Sequence, residues 1–538
     1  MAAPPPTDAE PGDDPGAAGA RGPAREPARN GASDGRRPPP LAGATLVLGT
    51  FALSLATFMN VLDTSIANVS IPAMSGDLGV SLSQGTWVIT SFGVANAISV
   101  PLAGWLTVRF GQVRLFIASV LLFVFASWLC GLAPSIEWLI AFRVLQGAVA
   151  GPMVPLSQAL LLSSYPAHRS GTALAMWSMT TLIAPVAGPL LGGWITDNIA
   201  WPWIFYINIP VGLFAVGLTW LIYRDRDTPR RKLPVDGVGL ALLVLWVGAL
   251  QIMLDKGKEL DWFASGTIVW LGVVALVALA LFLVWELTEE HPVVDLSLFR
   301  GRNFSAGVVS LALAYALFFG NVVILPLWLQ QYLGYTATWA GMALAPVGLL
   351  AAVFTPIVGR NLGRWDARAL ATISFVIFAL VLWMRSLFDT QADYFSIVIP
   401  TIVQGVAVAF FFVPLMAIVL SGIGPERIAA ASGLSNFFRI LAGSFGTSVA
   451  TTLWDHRASM HHAHLVESVS LGRGATTEAM TRLEAAGLSP GQALAAIEQM
   501  IDQQAYTLSA NDLFYGSALL FVVLAGFIWL ARPLPAHR

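Results

Sequence analysis

The sequence predicts an all-α integral membrane protein, and three observations lead to that fold class. Of the 538 residues, 56% are hydrophobic and only 11% are charged, whereas a typical soluble domain carries about 25% charged residues. The segment at 143–156 is also repeated in sequence at 401–415. Finally, helices without any Asp, Glu, Lys or Arg can be drawn at 115–132, 204–223, 266–285 and 513–531. Helices of that length cross the ~30 Å hydrocarbon core and satisfy their own backbone hydrogen bonds.

A polar tail and fourteen predicted spans make up the chain. Residues 1–40 are rich in Pro, Gly, Ala and mixed charge, which predicts a disordered tail. The tail lacks the pattern of a secretory signal, so the first span also serves as the targeting element. The spans are predicted near 43–65, 84–106, 114–132, 138–161, 172–195, 203–223, 236–254, 266–285, 304–325, 339–358, 368–386, 395–421, 430–454 and 512–531.

Lys and Arg predict the orientation, because positively charged short loops stay in the cytoplasm. With the N-terminus inside, most of the 29 Lys and Arg residues fall in the tail and in the even-numbered turns. The run RDRDTPRRK at 224–232 is the strongest single anchor. Both termini are therefore predicted to be cytoplasmic.

The connection 455–511 is far longer than the others and is predicted to lie on the outer face. Ser489-Pro490 is typical of a helix start, with a capping serine and a proline in the first turn. An apolar face follows at helical spacing, formed by Leu494, Ile497, Ile501 and Leu508. Such a face needs a cover, which is either the protein's own outer surface or a docked partner.

The two halves of the sequence repeat each other. RVLQGAVAGPMVPL (143–156) is echoed 258 positions later by TIVQGVAVAFFFVPL (401–415), and Gln146 matches Gln404. GWLTVR (104–109) is likewise echoed by GRNLGR (359–364). Many secondary transporters consist of such repeats around a central pathway. We therefore predict a six-helix bundle at 41–223, two extra helices with loops at 224–303, and a second six-helix bundle at 304–538.

Four short motifs resemble a known family. They are LDTSIANVSIP (62–72), GWLTVRFGQVR (104–114), RVLQG (143–147) and APVAGPLLGG (184–193). Together they resemble the major facilitator superfamily, in its fourteen-helix drug:proton antiporter branch (DHA2). Longer blocks, among them QGTWVITSFGVANAIS (84–99) and GLSNFFRILAGSFGTS (433–448), are similar to the multidrug exporters of that branch. The resemblance extends from about residue 42 to 532.

The motif at 104–114 departs from the family pattern at two positions. Val108 stands where the family usually has an acidic residue before the arginine, and Gln112 stands where a basic residue is common. The charge relay that the family places in this loop is therefore not expected here in its usual form.

Asp63 and Arg143 are the predicted proton-coupling residues. An ionised side chain inside the membrane is costly, so Asp63 should face the bundle interior or water. Burial disfavours the charged form of a carboxyl group, and a group that alternates between neutral and charged forms suits proton coupling. Arg143 could tune a nearby carboxylate and bond backbone carbonyls. The alternatives are structural: a helix-end bond from Asp63 to Asn60 or Thr64, and a clamp between helices from Arg143.

The resemblance also implies gating positions. Gly188, Gly192 and Gly193 permit close helix approach, and Pro189 can kink the same span. Simple tight packing is the alternative. Gly104, Arg109 and Gly111 form a short cytoplasmic turn in which glycine allows a tight bend and the arginine could bond helix ends when that side is closed.

The family resemblance implies bulky amphipathic or cationic substrates. Aromatic and uncharged polar residues that could contact them are Asn60, Trp87, Asn96, Phe318, Asn321, Gln404 and Asn436. The alternative for each of them is a contact between helices.

Neither a metal site nor a cofactor is predicted. His461, His462 and His464 have no Cys or acidic cluster of convincing ligand spacing nearby, so a solvated outer-loop cluster is the preferred interpretation. The sequence holds no GxxxxGK[ST] loop for ATP and no constellation typical of an enzyme. A proton gradient is the expected energy source.

The resemblance implies proton-driven export of many bulky amphipathic or hydrophobic drugs across the inner membrane by alternating access. It further implies a tripartite pump in which a periplasmic adaptor and an outer-membrane channel are the partners. No nucleic acid partner is expected. The alternatives are an exporter of one metabolite, such as a siderophore or fatty acid, and a membrane sensor that transports nothing.

Overall fold

The computed structural model describes residues 39–231, 234, 236–362, 364–469 and 474–533. The predicted tail, except for its last two residues, lies outside this part of the chain. Long helical elements make up most of the described residues: α1 (Gly43–Asp77), α2 (Trp87–Phe110), α3 (Gln112–Gly131), α4 (Ile136–Ser164), α5 (Ser170–Asn198), α6 (Trp203–Arg226), α7 (Gly237–Lys256), α8 (Gly266–Thr288), α9 (Arg302–Gln331), α10 (Trp339–Asn361), α11 (Ala367–Arg385), α12 (Tyr394–Leu420), α13 (Ile428–Ser468) and α14 (Pro490–Leu530).

Short elements interrupt or join these helices. Within α2, Val100–Leu102 form a 3-10 turn around Pro101, because proline has no N–H to continue the α-helical ladder. Separate short helices lie at Leu82–Gly85 and Gly474–Ala485, and 3-10 turns lie at Ala167–Arg169, Trp262–Ala264, Leu296–Arg300 and Pro425–Arg427.

Twelve helices in the described part of the chain are long and apolar enough to cross a membrane. The predicted spans 172–195 and 430–454 correspond to α5 and α13, which are long helices but do not belong to that set. Both are rich in Gly, Ser and Thr, and both pack against helices on several sides. Helices that face protein rather than lipid need less apolar surface. The multi-pass helical architecture is confirmed, and the count of fourteen spans remains a prediction.

The packing of the first six helices recurs in the last six. Helix α1 packs against α5 as α9 packs against α13, α2 against α4 as α10 against α12, and α3 against α6 as α11 against α14. The repeat in the sequence therefore corresponds to a repeat in helix packing. We call α1–α6 the N-terminal half and α9–α14 the C-terminal half.

The two halves meet near the loop between α2 and α3. Helix α2 contacts α13 and α5 contacts α10, which is the symmetry-related pair. Trp177 of α5 also stacks on Phe412 of α12, with 5.1 Å between ring centroids. Ser432 of α13 donates a hydrogen bond to the Gln158 side chain of α4. These contacts join the halves at one end of the molecule, which we call the loop end.

Helices α7 and α8 pack on each other, and α7 also contacts α2 of the N-terminal half and α13 of the C-terminal half. At the end opposite the loop end, the Lys256 ammonium donates to Thr86 near α2 at 2.9 Å. Trp262 donates to Thr452 of α13 at 2.8 Å, and Gln251 donates to Ser444 of α13 at 2.8 Å. Helix α7 and the turn that follows it thus bridge α2 and α13.

Beyond this end, α13 and α14 continue as an outer hairpin. The predicted helix start is confirmed, because Ser489 and Gln492 form a reciprocal capping box at the beginning of α14. The face of α14 turned toward protein contains Ala493, Ile497, Ile501 and Ala505, and α13 packs against α14. Leu494 does not belong to it, because its side chain is 57% exposed. The protein's own surface therefore covers this face.

Candidate proton-coupling site

Asp63 and Arg143 form a buried ion pair between α1 and α4. The distance from Arg143 Nη1 to Asp63 Oδ2 is 2.5 Å, and both side chains are 0% exposed. Asp63 lies in the middle of α1 rather than at a helix end, so the helix-end alternative is wrong. Because each charge neutralises the other, the pair avoids the full cost of burying an isolated ion.

Two amide side chains complete the coordination of Asp63. Asn208 of α6 donates to Asp63 Oδ1 at 2.8 Å, and Gln146 of α4 donates to the same oxygen at 3.2 Å. Gln146 also accepts from Arg143 at 2.7 Å, while Asn208 donates to Ser127 of α3 at 2.9 Å. The carboxylate therefore connects α1 to α4 directly and to α3 through Asn208.

Arg143 has further partners on α2. Its Nε donates to the carbonyl of Val88 at 3.1 Å, and its guanidinium lies over the ring of Phe92, 4.2 Å from the centroid. In the described part of the chain, Nη2 is buried without a hydrogen-bond partner. Since one guanidinium holds helices α1, α2 and α4 together, any change in the charge of Asp63 acts on the packing of all three.

The C-terminal half carries a related network without a carboxylate. Arg385 at the end of α11 is 1% exposed and donates to Gln404 at 2.7 Å and to Thr401 at 3.3 Å. Gln404 is the repeat partner of Gln146. Asn321 lies 258 positions after Asp63 and donates to Ser517 of α14 at 3.0 Å. No acidic side chain forms an ion pair with Arg385 within the described residues.

Four predicted substrate residues are buried and bonded within their own half. Asn60 donates to the carbonyl of Ala150 at 3.3 Å, and Asn436 donates to the carbonyl of Ser432 at 2.8 Å. Asn321 and Gln404 belong to the network just described. In this conformation the four side chains make contacts within and between helices, and their role in substrate binding remains a prediction.

The other three predicted substrate residues lie apart from one another. Trp87 lies beneath the ammonium of Lys256, 5.3 Å from the ring centroid. Phe318 is part of an aromatic cluster with Tyr315, Phe319, Phe378 and Phe411. Asn96 is half-buried, and its Oδ1 is without a partner among the described groups. These three side chains have different surroundings, and their role in substrate binding also remains a prediction.

Two of the predicted gating glycines create the contact between α1 and α5. A Cβ atom on Gly188 would lie 2.5 Å from Ser65 Cβ, and one on Gly192 would lie 2.7 Å from Ile66 Cγ1. For Gly193 the nearest atom would be 3.9 Å away, which is an ordinary contact. The side chain of Pro189 lies outside the described part. The glycines therefore bring the helix that carries Asp63 directly against α5.

Gly104 and Gly111 have different structural roles. A Cβ atom on Gly104 would lie 2.5 Å from Ala430 Cβ, so this glycine allows the close contact of α2 with α13. Gly111 has φ of +86°, a backbone conformation that favours glycine.

Arg109 stacks over Trp105, 5.2 Å from the ring centroid. Asp227, from the loop after α6, accepts from the backbone N–H of Val113 at 2.9 Å and so caps α3.

The histidines of the outer hairpin contact acidic residues that the sequence spacing did not reveal. His461 lies 2.9 Å from Asp512. His462 lies 3.1 Å from Glu498 and 3.5 Å from Asp502. Both of these carboxylates belong to α14, and Glu498 comes 36 residues after His462. The sequence shows no acidic cluster of convincing ligand spacing beside these histidines, and the acidic residues that meet two of them come from a distant segment of the chain.

Sequence reasoning identified Asp63 and Arg143 but missed Asn208, Arg385 and the hydrogen bonds that connect Gln146 to both charged residues. Gln146 follows Arg143 by three residues, so both lie on one face of α4. Asn208 is a polar residue in an otherwise uncharged apolar span. That isolated polarity was the available signal for Asn208.

Over most of its length the chain is similar to known transport proteins. The sequence model of the Major Facilitator Superfamily matches residues 53–447. The chain is 54% identical over 495 residues to the multidrug export protein EmrB of Escherichia coli K12, covering 92% of this chain and 97% of that protein. It is 49% identical over 499 residues to the fatty acid resistance protein FarB of Neisseria gonorrhoeae, covering 93% and 98%.

The fold is also similar to that of solved transporter structures. The proton:xylose symporter XylE superposes with a TM-score of 0.55 at 14% identity, covering 90% of this chain and 95% of that chain. At this level of identity the likeness is one of fold.

Proposed function

The chain belongs to the major facilitator superfamily, and on that premise we propose that it exports bulky amphipathic or hydrophobic drugs in exchange for protons. Members of this superfamily are secondary carriers, so the chain is a transporter and not an enzyme. The 54% identity to EmrB confirms the predicted kinship with multidrug exporters. The single observation that carries the coupling proposal is the buried pair of Asp63 and Arg143.

Proton coupling follows from the charge balance of this pair. Ionised Asp63 neutralises Arg143, whereas protonated Asp63 leaves a buried guanidinium without a counter-charge. Breaking a buried pair in this way costs about 3–5 kcal/mol if nothing moves. A rearrangement of α1 against α4 that gives Arg143 new partners would lower this cost. Protonation therefore favours one arrangement of the helices, and deprotonation favours the other.

Alternating access requires that Asp63 changes its surroundings between two states, because a ligand shifts an equilibrium only through unequal affinity for the two states. In this conformation the halves meet at the loop end through α2 with α13 and α5 with α10. We assign it to a state in which the loop end, cytoplasmic in our orientation, is closed. Protons arriving from the outer side would reach Asp63 as the bundle changes state, and drug binding from inside would favour their release.

The proposal includes the setting of the pump. Multi-pass topology and the kinship with EmrB support an inner-membrane location with both termini in the cytoplasm. The same kinship supports a tripartite assembly with a periplasmic adaptor and an outer-membrane channel. The outer hairpin of α13 and α14 and the other outer turns would form the contact surface. No cofactor is invoked, because the proton gradient supplies the energy.

A second candidate is export of fatty acids alone. It is favoured by one observation, the 49% identity over nearly the whole chain to the fatty acid resistance protein FarB. The 54% identity to a multidrug exporter favours the broader substrate range.

The range of transported compounds tests the proposal. Purified protein in liposomes would be given an imposed proton gradient and, in turn, a lipophilic cationic dye, an uncharged hydrophobic drug and a long-chain fatty acid. We expect gradient-driven transport of the dye and the drug, with mutual competition. Transport of the fatty acid alone would replace the proposal with the second candidate. The absence of counterflow for every compound would indicate a membrane protein that does not transport.

A further inference from the structure

The outer hairpin brings three metal-ligand side chains together. His462 comes from α13, and Glu498 and Asp502 come from α14. The distance from His462 Nε2 to Glu498 Oε1 is 3.1 Å, and from His462 Nε2 to Asp502 Oδ1 it is 3.5 Å. One ligand atom from each of the three residues lies within 4.8 Å of the other two. The arrangement joins two helices whose residues are distant in the sequence.

These distances match the edges of a zinc coordination polyhedron. Zinc binds imidazole nitrogen and carboxylate oxygen at about 2.0–2.2 Å in tetrahedral geometry, which separates neighbouring ligand atoms by about 3.3–3.5 Å. The two distances from His462 Nε2 lie close to that range. One imidazole and two carboxylates are a donor set that suits zinc and neighbouring transition metals. A water molecule would complete a fourfold coordination.

The charge around His462 also favours a cation. Glu498 and Asp502 are four residues apart on one face of α14, where like charges destabilise a helix. Arg and Lys residues make no ion pair with either carboxylate in the described part of the chain. The neighbouring carboxylate of Asp512 differs, because Arg457 lies 3.1 Å from it in addition to His461. Two negative charges therefore face one histidine, and a divalent ion would neutralise both.

The three side chains can be reached from solution. Their exposed fractions are 30% for His462, 58% for Glu498 and 49% for Asp502. The site lies on the hairpin that extends from the end opposite the loop end, and so on the outer side in our orientation. A metal ion can enter from that side without passing through the bundle.

We propose that His462, Glu498 and Asp502 form a binding site for a divalent transition metal, with Zn²⁺ as the best match. The bound ion links α13 to α14 above the membrane. Because the ligands come from both helices, the folded hairpin binds the ion more tightly than the unfolded chain does, so the ion stabilises the hairpin by mass action. This inference does not depend on the transported substrate.

Zinc binding to the purified full-length transporter tests the proposal. Metal-free protein would be titrated with Zn²⁺ in competition with a chromophoric chelator, for the wild type and for His462→Ala, Glu498→Gln and Asp502→Asn. His464→Ala is the matched control, because it removes an exposed histidine of the same HHAH run that lies outside the cluster. Elution as a single species on size exclusion would show that each variant folds.

We expect the wild type and His464→Ala to bind one Zn²⁺ per chain with equal affinity. His462→Ala should bind at least about tenfold more weakly, and each carboxylate variant should also lose affinity, since the loss of even a supporting partner typically costs about 10–100-fold. Zn²⁺ should raise the Tm of the wild type but not that of His462→Ala. Wild-type protein that binds no Zn²⁺, or undiminished binding by His462→Ala, would overturn the proposal.

Discussion

The two halves of the molecule share their packing but differ in buried charge. In the N-terminal half, Arg143 pairs with Asp63. In the C-terminal half, Arg385 bonds only uncharged side chains among its hydrogen-bond partners, Gln404 and Thr401, and Asn321 occupies the repeat position of Asp63. Among the described residues, a carboxyl group is therefore present in one network and lacking in the other. This difference supports our proposal that coupling is located in the N-terminal half.

Removal of Arg143 should have the largest effect. Arg143→Met leaves Asp63 buried without its cation, which should lower the free energy of unfolding by about 3–5 kcal/mol. If about 3 kcal/mol of that loss falls on the transport cycle, the rate falls roughly a hundredfold. Initial rates of gradient-driven dye uptake and thermal unfolding would measure the two effects.

Arg143→Lys is the matched control for that change. It keeps the positive charge but lacks the planar fork that bonds Asp63 and the Val88 carbonyl together. An intermediate rate is expected. An uptake rate for Arg143→Met equal to that of the wild type would contradict the proposal that coupling is located in the N-terminal half.

Alanine in place of a closely packed glycine should lower stability and transport in both halves, and more in the C-terminal half, where the nearest atom belongs to the backbone. Gly188 contacts α1 and its repeat partner Gly446 contacts α9. The atom nearest to a Cβ on Gly188 would be the Ser65 side-chain hydroxyl oxygen at 2.4 Å, and the atom nearest to a Cβ on Gly446 would be the backbone carbonyl oxygen of Ala316 at 2.0 Å. Each Gly→Ala change should cost about 1–3 kcal/mol by overpacking, and if about 1.4 kcal/mol of that cost falls on the transport cycle, the rate falls about tenfold. Gly193→Ala is the control, since its nearest neighbour would be 3.9 Å away.

Unfolding temperatures and uptake rates of these three variants would be compared. A loss of stability and uptake in Gly188→Ala alone would contradict the close packing of Gly446 against α9. A loss as large in Gly193→Ala would show that space at these glycines is not the cause.

Removal of Arg385 should have the smallest effect. Arg385→Met deletes a buried charge without a carboxylate partner, and replacement of such groups by apolar residues is often neutral, while the unpaired Gln404 oxygen costs about 1–3 kcal/mol. We expect dye uptake within about threefold of the wild type. The uptake rates of Arg385→Met and Arg143→Met would be measured in parallel. A hundredfold lower rate for Arg385→Met would place an essential charge in the C-terminal half as well.

The sequence alone predicted the helical membrane fold, the repeat and the central charge pair. Runs without charges have one stable solution in a bilayer, and a carboxylate among them needs a buried partner. Whether α5 and α13 cross the membrane is harder to decide from composition. Their surfaces are less apolar, because they contact neighbouring helices on several sides. Such contacts cannot be read from composition.

Other features depended on contacts between distant segments. Arg385 lies one residue before the end of the predicted span 368–386, where a long cationic side chain usually reaches water, yet the structure buries it. His462 meets Glu498 only because α13 and α14 extend beyond the bundle side by side. Spacing along the chain carries no signal for such pairs.

The central claim is that Asp63 couples transport to protons, and dye uptake into inside-out vesicles with an acidic interior tests it most directly. Wild type and Asp63→Asn would be compared at equal protein levels, together with dye counterflow in the absence of a gradient. We predict gradient-driven accumulation by the wild type, none by Asp63→Asn, and counterflow by both. Equal accumulation by the two proteins would contradict the claim and would show that protons travel by another group.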